Sequence, residues 1–339
     1  MKNNYIAVDF DPNKAKNIEE WNKFVEGLNE TSGVKWQLYG TDLQDSSFHS
    51  KERYFHYFKI AWKLFVNRNT INALIANQQF YGIIFAFFSR LFHVEKKTKN
   101  VIVSFIYNKK NGIVGKIYER FIKYSINNQY VEKLIVHSNS EVDYYANLLH
   151  IEENKLMFCP LGITDDSKQF NRCENADLKN SYVLGVGNSN RDFLFMENAL
   201  VDQDYLVRIF SDKMEPHNNK NIVVNKGVSV EEYYTQLASC FCSVVPIDNP
   251  NFSSGQLIML QSYAFEKPVI ITKSNVNDTY IGDGNAIVIN KNREELLSAI
   301  ESLRDNTFYN RQVKKAKCFF DNNFSMYAMG KKLGLLFRK

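Results

Sequence analysis

The chain has 339 residues, 45% apolar and 23% charged, with a net charge of only +5, the balance of a soluble globular protein with room for two ordinary cores. Its five cysteines (Cys159, Cys173, Cys240, Cys242 and Cys318) form no CxxC pair, which argues against a disulfide framework or zinc site and for reduced thiols in the cytoplasm. No stretch reaches the ~18 apolar residues of a membrane span, and the opening MKNNYIAVDF carries no hydrophobic signal core.

YIAVDF (5–10) is a short apolar run that predicts a strand. NIEEWNKFVEGL follows with Ile18, Trp21, Val25 and Leu28 at helical spacing. VKWQLYG (34–40) returns to strand. Next comes a basic and aromatic region. From Lys51 to Lys133, fifteen Lys and Arg stand against four Asp and Glu, a local net charge of +11. Within it, RYFHYFKIAWKLFV carries Tyr54, Phe55, Tyr57, Phe58, Trp62 and Phe65. Two readings fit: a dock for an anionic membrane surface, or a core helix with a solvated basic face. No nucleic-acid motif accompanies the charge, so nucleic acid is not expected as a partner.

NALIANQQF and NVIVSFIYN predict two strands with an apolar helix between them. EKLIVHSN (132–139) is a further strand. It runs into a capping box, Ser138 with Glu141, for the helix EVDYYANLLHI. KLMFCPLGI (155–163) closes the first series. Polar residues 164–180 form the best linker. The alternation then restarts with SYVLGVG, RDFLFMENAL, YLVRIFS and NIVVNKG. Ser229 and Glu232 cap VEEYYTQLAS. FCSVVPI, a helix after SSG, PVIIT, NAIVIN, the helix REELLSAIESL and a helical tail complete it.

Strand–helix alternation predicts parallel sheets with helices on both faces. Two such series predict an α/β protein of two doubly wound Rossmann-like domains with a cleft between them, 1–165 and 166–315. Residues 316–339 are expected as a C-terminal helix packing back toward the first domain. Ligands in such sheets bind beyond the carboxyl ends of the strands.

The loop DNPNFSSG follows a strand and opens a helix near Gly255. Backbone N–H groups there are unpaired and the macrodipole is positive. Ser253, Ser254 and Gln256 add donors, and Gly255 would let a ligand approach. That is a phosphate cradle. It is equally the outline of an ordinary cap, with Ser254 as N-cap and Gly255 serving the turn.

SSGQLIMLQSYAFEKPVIIT resembles the loop, helix and strand found in the C-terminal domain of family 4 glycosyltransferases of GT-B fold. IVHSNSEVDYYANLLHI with KLMFCPLGI, LGVGNSNRDFLFMENAL, NIVVNKGVSVEEYYTQLASC, FCSVVPI and NDTYIGDGNAIVI resemble further parts of that family in the same order. The resemblance covers about residues 130–305. It implies transfer of a sugar from a nucleotide diphosphate, UDP-sugar first, to a saccharide or a polyprenol-linked or lipid A-linked acceptor. The setting it implies is bacterial surface polysaccharide assembly (O-antigen, lipopolysaccharide or capsule). It implies retention of configuration, no metal, and a cytoplasmic enzyme peripheral to the inner face of the membrane.

The resemblance also assigns roles. Gly187 and Asn188 stand in the first loop of the C-terminal domain, and Arg191 takes the diphosphate. Asp192 is either part of that loop or the cap of the next helix. Val228 sits where the family holds the base through its backbone. Ser254, Gly255 and Gln256 meet the diphosphate. Ser253 and Gln261 stand where many members have two glutamates that contact the donor sugar and ribose. With Arg191, Ser253 is the candidate for catalysis. An inverting enzyme would need a base from the first domain, and only Asp9 and Asp11 offer one; both also suit a turn after a strand. His137 is read as structural. An epimerase or phosphorylase would need an acid–base pair or pyridoxal lysine that is not visible. A non-catalytic partner of another transferase stands as the alternative, on the two missing glutamates.

Overall fold

The computed structural model describes residues 2–15, 18–40, 50–170, 178–250, 254–274, 278–282 and 284–338. The chain divides into two compact units, residues 1–161 with 329–339, and residues 162–328.

Among the described residues the first unit holds six strands, β1 (Asn3–Ala7), β2 (Gln37–Tyr39), β3 (Ile71–Ala76), β4 (Lys99–Ile102), β5 (Lys133–Val136) and β6 (Leu156–Phe158). They pair in the order β2-β1-β3-β4-β5-β6, every pair parallel. Its helices are α1 (Ile18–Ser32), α2 (Ser50–Val66), α3 (Gln79–Leu91), α4 (Gly112–Ile126) and α5 (Asn139–Leu149). The central strand β3 is buried at five of its six positions, as a strand covered on both faces requires. Tyr57, Ile60, Ala61, Leu64 and Phe65 of α2 bury one stripe against Leu74, Tyr81 and Phe85.

The second unit holds β7 (Tyr182–Val186), β8 (Leu206–Phe210), β9 (His217–Asn219), β10 (Ile222–Asn225), β11 (Cys242–Val245), β12 (Val269–Thr272) and β13 (Ile287–Ile289). The order is β13-β12-β11-β7-β8-β10-β9. All pairs are parallel except β9 with β10. Its helices are α6 (Phe193–Leu200), α7 (Val230–Ser239), α8 (Gln256–Ala264), α9 (Arg293–Ser302) and α10 (Asn306–Asn323), and α11 (Met326–Gly334) follows. β11 and β12 are buried at every position. Strand order reverses at β7, which lies between β8 and β11. The loops after β7 and β11 are therefore neighbours at the sheet's carboxyl edge.

Three elements were not anticipated from sequence: α4, β9 and α10. The division expected at 315/316 falls inside α10, which buries Gln312, Ala316 and Phe320 and belongs whole to the second unit. The chain re-enters the first unit at Met329. There Phe337 meets Trp36 edge-on at 4.6 Å, and Lys331 reaches Glu30 at 3.2 Å. The capping box at α5 forms by half. Glu141 accepts from the backbone of His137 and Ser138. The Ser138 hydroxyl instead bonds Ser140, at 2.8 Å. Ser229 caps α7 as the sequence indicates, accepting from the Glu232 N–H at 3.1 Å. Among the described residues no helix is long and apolar enough to cross a membrane.

Candidate functional site

The loop after β7 begins at Gly187, whose N–H bonds the Phe210 carbonyl at 3.1 Å. Its φ of +136° suits glycine, and a Cβ there would lie 3.1 Å from Nε of Arg191. Gly187 thus makes room for the Arg191 guanidinium. Asn188 reaches across to the next strand. Its amide donates to Asp212 at 2.7 Å and its carbonyl accepts from the Asp212 N–H at 2.7 Å. Asp212 also accepts from the Gly227 N–H at 2.8 Å. These bonds, led by the Gly227 N–H, hold the Asp212 carboxyl below its usual range. One asparagine and one aspartate therefore tie together the loops after β7, β8 and β10.

The loops after β7 and β11 are joined as closely. Arg191 and Ile247 form an isolated antiparallel bridge. The Asp192 N–H donates to Pro246 at 2.8 Å. Asn190 exchanges bonds with Asn249 at 2.7 and 2.9 Å and donates to the Ser254 hydroxyl at 2.9 Å. Asp192 takes the capping role, accepting from the Phe195 N–H at 2.9 Å, and pairs with Lys291 at 2.7 Å. Lys291 was not singled out in the sequence; it lies well outside the loops that carry the motifs.

Arg191 is half-buried. Its Nη1 donates to the Ser189 carbonyl at 2.8 Å and to that of Asn190 at 3.3 Å. Its buried Nε has no partner among the described residues. Burial pulls its pKa down to about 10, so it stays cationic at neutral pH.

Among the described residues no side chain caps α8. Ser254 is not its N-cap; that position is Gly255, at φ +91°. A Cβ on Gly255 would meet Val245 at 2.9 Å and Ile247 at 3.2 Å. The glycine is required by the turn and by the seat of α8 on β11. By contrast α6, α7, α9 and α10 are each capped by a side chain. Gln256 is the first residue of α8. Ser253 lies outside the described residues.

A cavity of about 350 Å³ opens beside this helix start. Gly187, Asn188, Val228 and Gln261 line it, as do Asp212, Tyr233, Tyr234, Leu257 and Ile258. Arg191, Ser254, Gly255 and Gln256 do not line it; they lie at the adjoining loop junction. Gln261 is buried, and its carbonyl accepts from the Tyr233 hydroxyl at 2.9 Å. Its amide donates to the Tyr234 hydroxyl, also at 2.9 Å. Burial keeps both phenols protonated, Tyr234 up at about 12 and Tyr233 well above its ordinary value. The side of the wall formed by Tyr233, Tyr234 and Gln261 is therefore uncharged, Asp212 adds a carboxylate opposite the loop after β7 that it ties down, and Arg191 and the start of α8 sit to one side. Such a surface suits a flat neutral group joined to an anionic one. The tyrosines were missed in sequence because nothing local links them to a glutamine 27 and 28 residues away.

No family model matches the chain, and no curated protein matches it. Solved structures do. A glycosyltransferase from Rickettsia africae ESF-5 matches with TM-score 0.63 and 13% identity, over 98% of this chain and 97% of its own. Sucrose-phosphate synthase from Thermosynechococcus elongatus matches with TM-score 0.63 and 14% identity, over 99% and 98%. The fold is GT-B. Anabaena HepE, solved with UDP and glucose, matches with TM-score 0.60 and 10% identity, over 97% of each chain. At these identities the likeness is one of fold, and it spans both GT-B domains of this chain.

In the first GT-B domain Asp11 accepts from the Asn13 N–H at 2.9 Å and lies 3.7 Å from Lys14, the work of a turn residue. Asp9 lies 3.7 Å from Arg53. His137 follows β5 and meets the Ser104 hydroxyl through Nε2 at 2.7 Å and the Cys159 carbonyl through Nδ1 at 2.8 Å. Because a carbonyl can only accept, Nδ1 carries the proton and Nε2 accepts from Ser104. Burial holds the His137 pKa low, opposed by the bond to Cys159. Among the described residues no three His, Cys, Asp or Glu gather as a metal set.

Proposed function

We propose that this protein is a glycosyltransferase that takes its sugar from a UDP-sugar. The observation that carries the reading is the cavity beside the start of α8, with Arg191 at its shoulder, at the strand-order reversal of the second sheet. Ligands in open α/β sheets bind at such reversals. The full-length likeness to HepE, which was solved with UDP and glucose, supports the choice of nucleotide.

In this reading the nucleoside lies against Val228, Tyr233 and Tyr234, with Gln261 offering its remaining donor and acceptor to ribose hydroxyls. The diphosphate meets Arg191 and the backbone of 254–256. As the bond between the anomeric carbon and the diphosphate breaks, negative charge grows on the leaving oxygen. A fixed cation and a helix start stabilise it, a contribution typically of ~3 kcal/mol per group. The reading requires no divalent ion. It retains anomeric configuration, so no dedicated protein base is called for. The acceptor is a saccharide, free or lipid-linked, read by the first domain in the assembly of a bacterial surface polysaccharide. Ser253 is kept as a contact to the donor sugar.

The second reading, a non-catalytic partner of another transferase, draws on Gln261. Where the resembling family has an acid, this chain has a neutral amide already held by two tyrosines. A thermal-shift panel of UDP, GDP, dTDP and CMP with their sugar conjugates separates the two. Stabilisation by UDP and a UDP-sugar alone supports the transferase. No shift with any nucleotide removes it and leaves the partner.

A further inference from the structure

α2 carries two apolar stripes. One is buried in the first domain's core. The other, Phe55, Phe58, Trp62 and Val66, recurs at helical spacing on the outer face and is exposed, from 76% at Phe55 to 42% at Phe58. A helix that only covers a sheet needs one stripe. Lys59 and Lys63 interleave the second and are exposed, with no acidic partner among the described residues. A single exposed apolar residue needs no explanation, whereas a whole stripe flanked by cations does.

The stripe is not alone. At the start of α4, Ile113, Val114 and Ile117 are 79%, 72% and 61% exposed. Lys109, Lys110 and Lys116 surround them, all exposed. α3 packs between α2 and α4. Tyr54 of α2 edges onto Phe80 of α3 at 5.8 Å. Lys110 sits over the Tyr118 ring at 4.6 Å. Both starts lie at the carboxyl edge of the first sheet, because each helix follows a parallel strand.

We propose that the outer face of α2 and the first turn of α4 form one docking surface for an anionic lipid bilayer, with the aromatic stripe inserted at the headgroup level and the lysines on the phosphates. Charge complementarity selects this occupant. The 51–133 segment holds a net +11 in a chain of net +5, which an anionic surface rewards by ~1 kcal/mol for each nearby lysine. Phe and Trp on the same face supply the apolar half of an interfacial helix. The proposal rests on the glycosyltransferase reading for its purpose, delivery to a lipid-linked acceptor, but its test contains no sugar nucleotide, so the two can fail separately.

The test is cosedimentation of the full chain with phosphatidylcholine vesicles, plain or containing roughly one-third phosphatidylglycerol. The protein is expected to bind the anionic vesicles, to ignore the plain ones, and to be released by salt. Lys59→Glu with Lys63→Glu lowers binding by about 25-fold or more, taking each lysine as about fivefold. Phe55→Ser with Phe58→Ser, both on the surface, also releases it. Lys220→Glu with Lys314→Glu, on the second domain, does not. Trp62 gives an independent readout. It is 44% exposed, whereas Trp21 and Trp36 are 9% and 5% exposed, so brominated lipid should quench Trp62 fluorescence and leave Trp62→Phe unquenched. Indifference to the anionic lipid overturns the proposal. So does binding that survives the α2 variants, or sedimentation showing a dimer that the same variants dissociate, which would make the face a contact between copies.

Discussion

Removing Arg191 should separate stability from ligand binding. Its guanidinium is half-buried, its Nε has no partner among the described residues, and burial draws its pKa to about 10. The unliganded fold therefore bears a cost for keeping it charged, on the order of 3 kcal/mol at most. Against that stand two bonds to the carbonyls of Ser189 and Asn190, worth ~1 kcal/mol each. The terms nearly cancel, so Arg191→Ala without ligand should melt within about 4 °C of wild type, in either direction. Binding is different. A charge-assisted bond to a diphosphate contributes ~1.5–3 kcal/mol, so the Kd for UDP should weaken about 10- to 150-fold. Calorimetric titration with UDP, paired with melting curves in its presence and absence, checks both halves. Wild type should gain stability from UDP and the variant little. The reasoning is refuted if Arg191→Ala binds UDP with wild-type affinity, or if it melts far below wild type before any ligand is added.

Gly255→Ala should destabilise the second domain by roughly 2–5 kcal/mol, from its positive φ and the crowding of Val245 and Ile247; an unchanged urea midpoint would contradict the geometry. Gln261→Leu leaves the buried Tyr233 hydroxyl without its acceptor and should cost ~1–3 kcal/mol, with UDP affinity reduced as well. His137 makes stability depend on pH. Its folded pKa lies below the unfolded value of about 6.5, so the folded state binds fewer protons. Its contribution is fully present above that value and is lost as pH falls through the folded pKa. Melting curves from neutral to mildly acidic pH should therefore decline more steeply for wild type than for His137→Gln. Glu141, raised by burial, contributes with the opposite sign in both proteins and cancels in the comparison.

Strand–helix alternation, and with it two doubly wound sheets, was legible in the sequence because runs such as CSVV and VIIT are apolar at three of four positions with no break in alternate positions, and strands buried on both faces need that. The caps at Ser229 and Asp192 were legible for the same reason: a cap acts within three residues of its own position. α4 and α10 were less so. GIVGKIYERFIKYSI begins with glycine and exposes apolar residues on the wrong side for a core helix. NTFYNRQVKKAKCFFDNN is held by few buried residues, Gln312, Ala316 and Phe320. Their helical state is settled by what they pack against.

The site shows the same division. Glycines 187 and 255, Arg191 and the serine-rich loop could be picked out along the chain as chemistry near a helix start. Their partners could not. The Arg191–Ile247 bridge, the Asn190 bond to Ser254, and the tyrosines that hold Gln261 join positions 27 to 64 residues apart. Only the strand order brings them together. Gly187 and Gly255 illustrate the difference. The sequence marks Gly255 as a place where a ligand could approach and Gly187 as part of a loop; in the fold a Cβ on Gly187 would crowd the Arg191 guanidinium and one on Gly255 would crowd Val245 and Ile247. Local sequence sets where the backbone must bend, because φ and capping are decided within a few residues. Which neighbour fills the resulting space is decided by close packing between elements that the chain order keeps far apart.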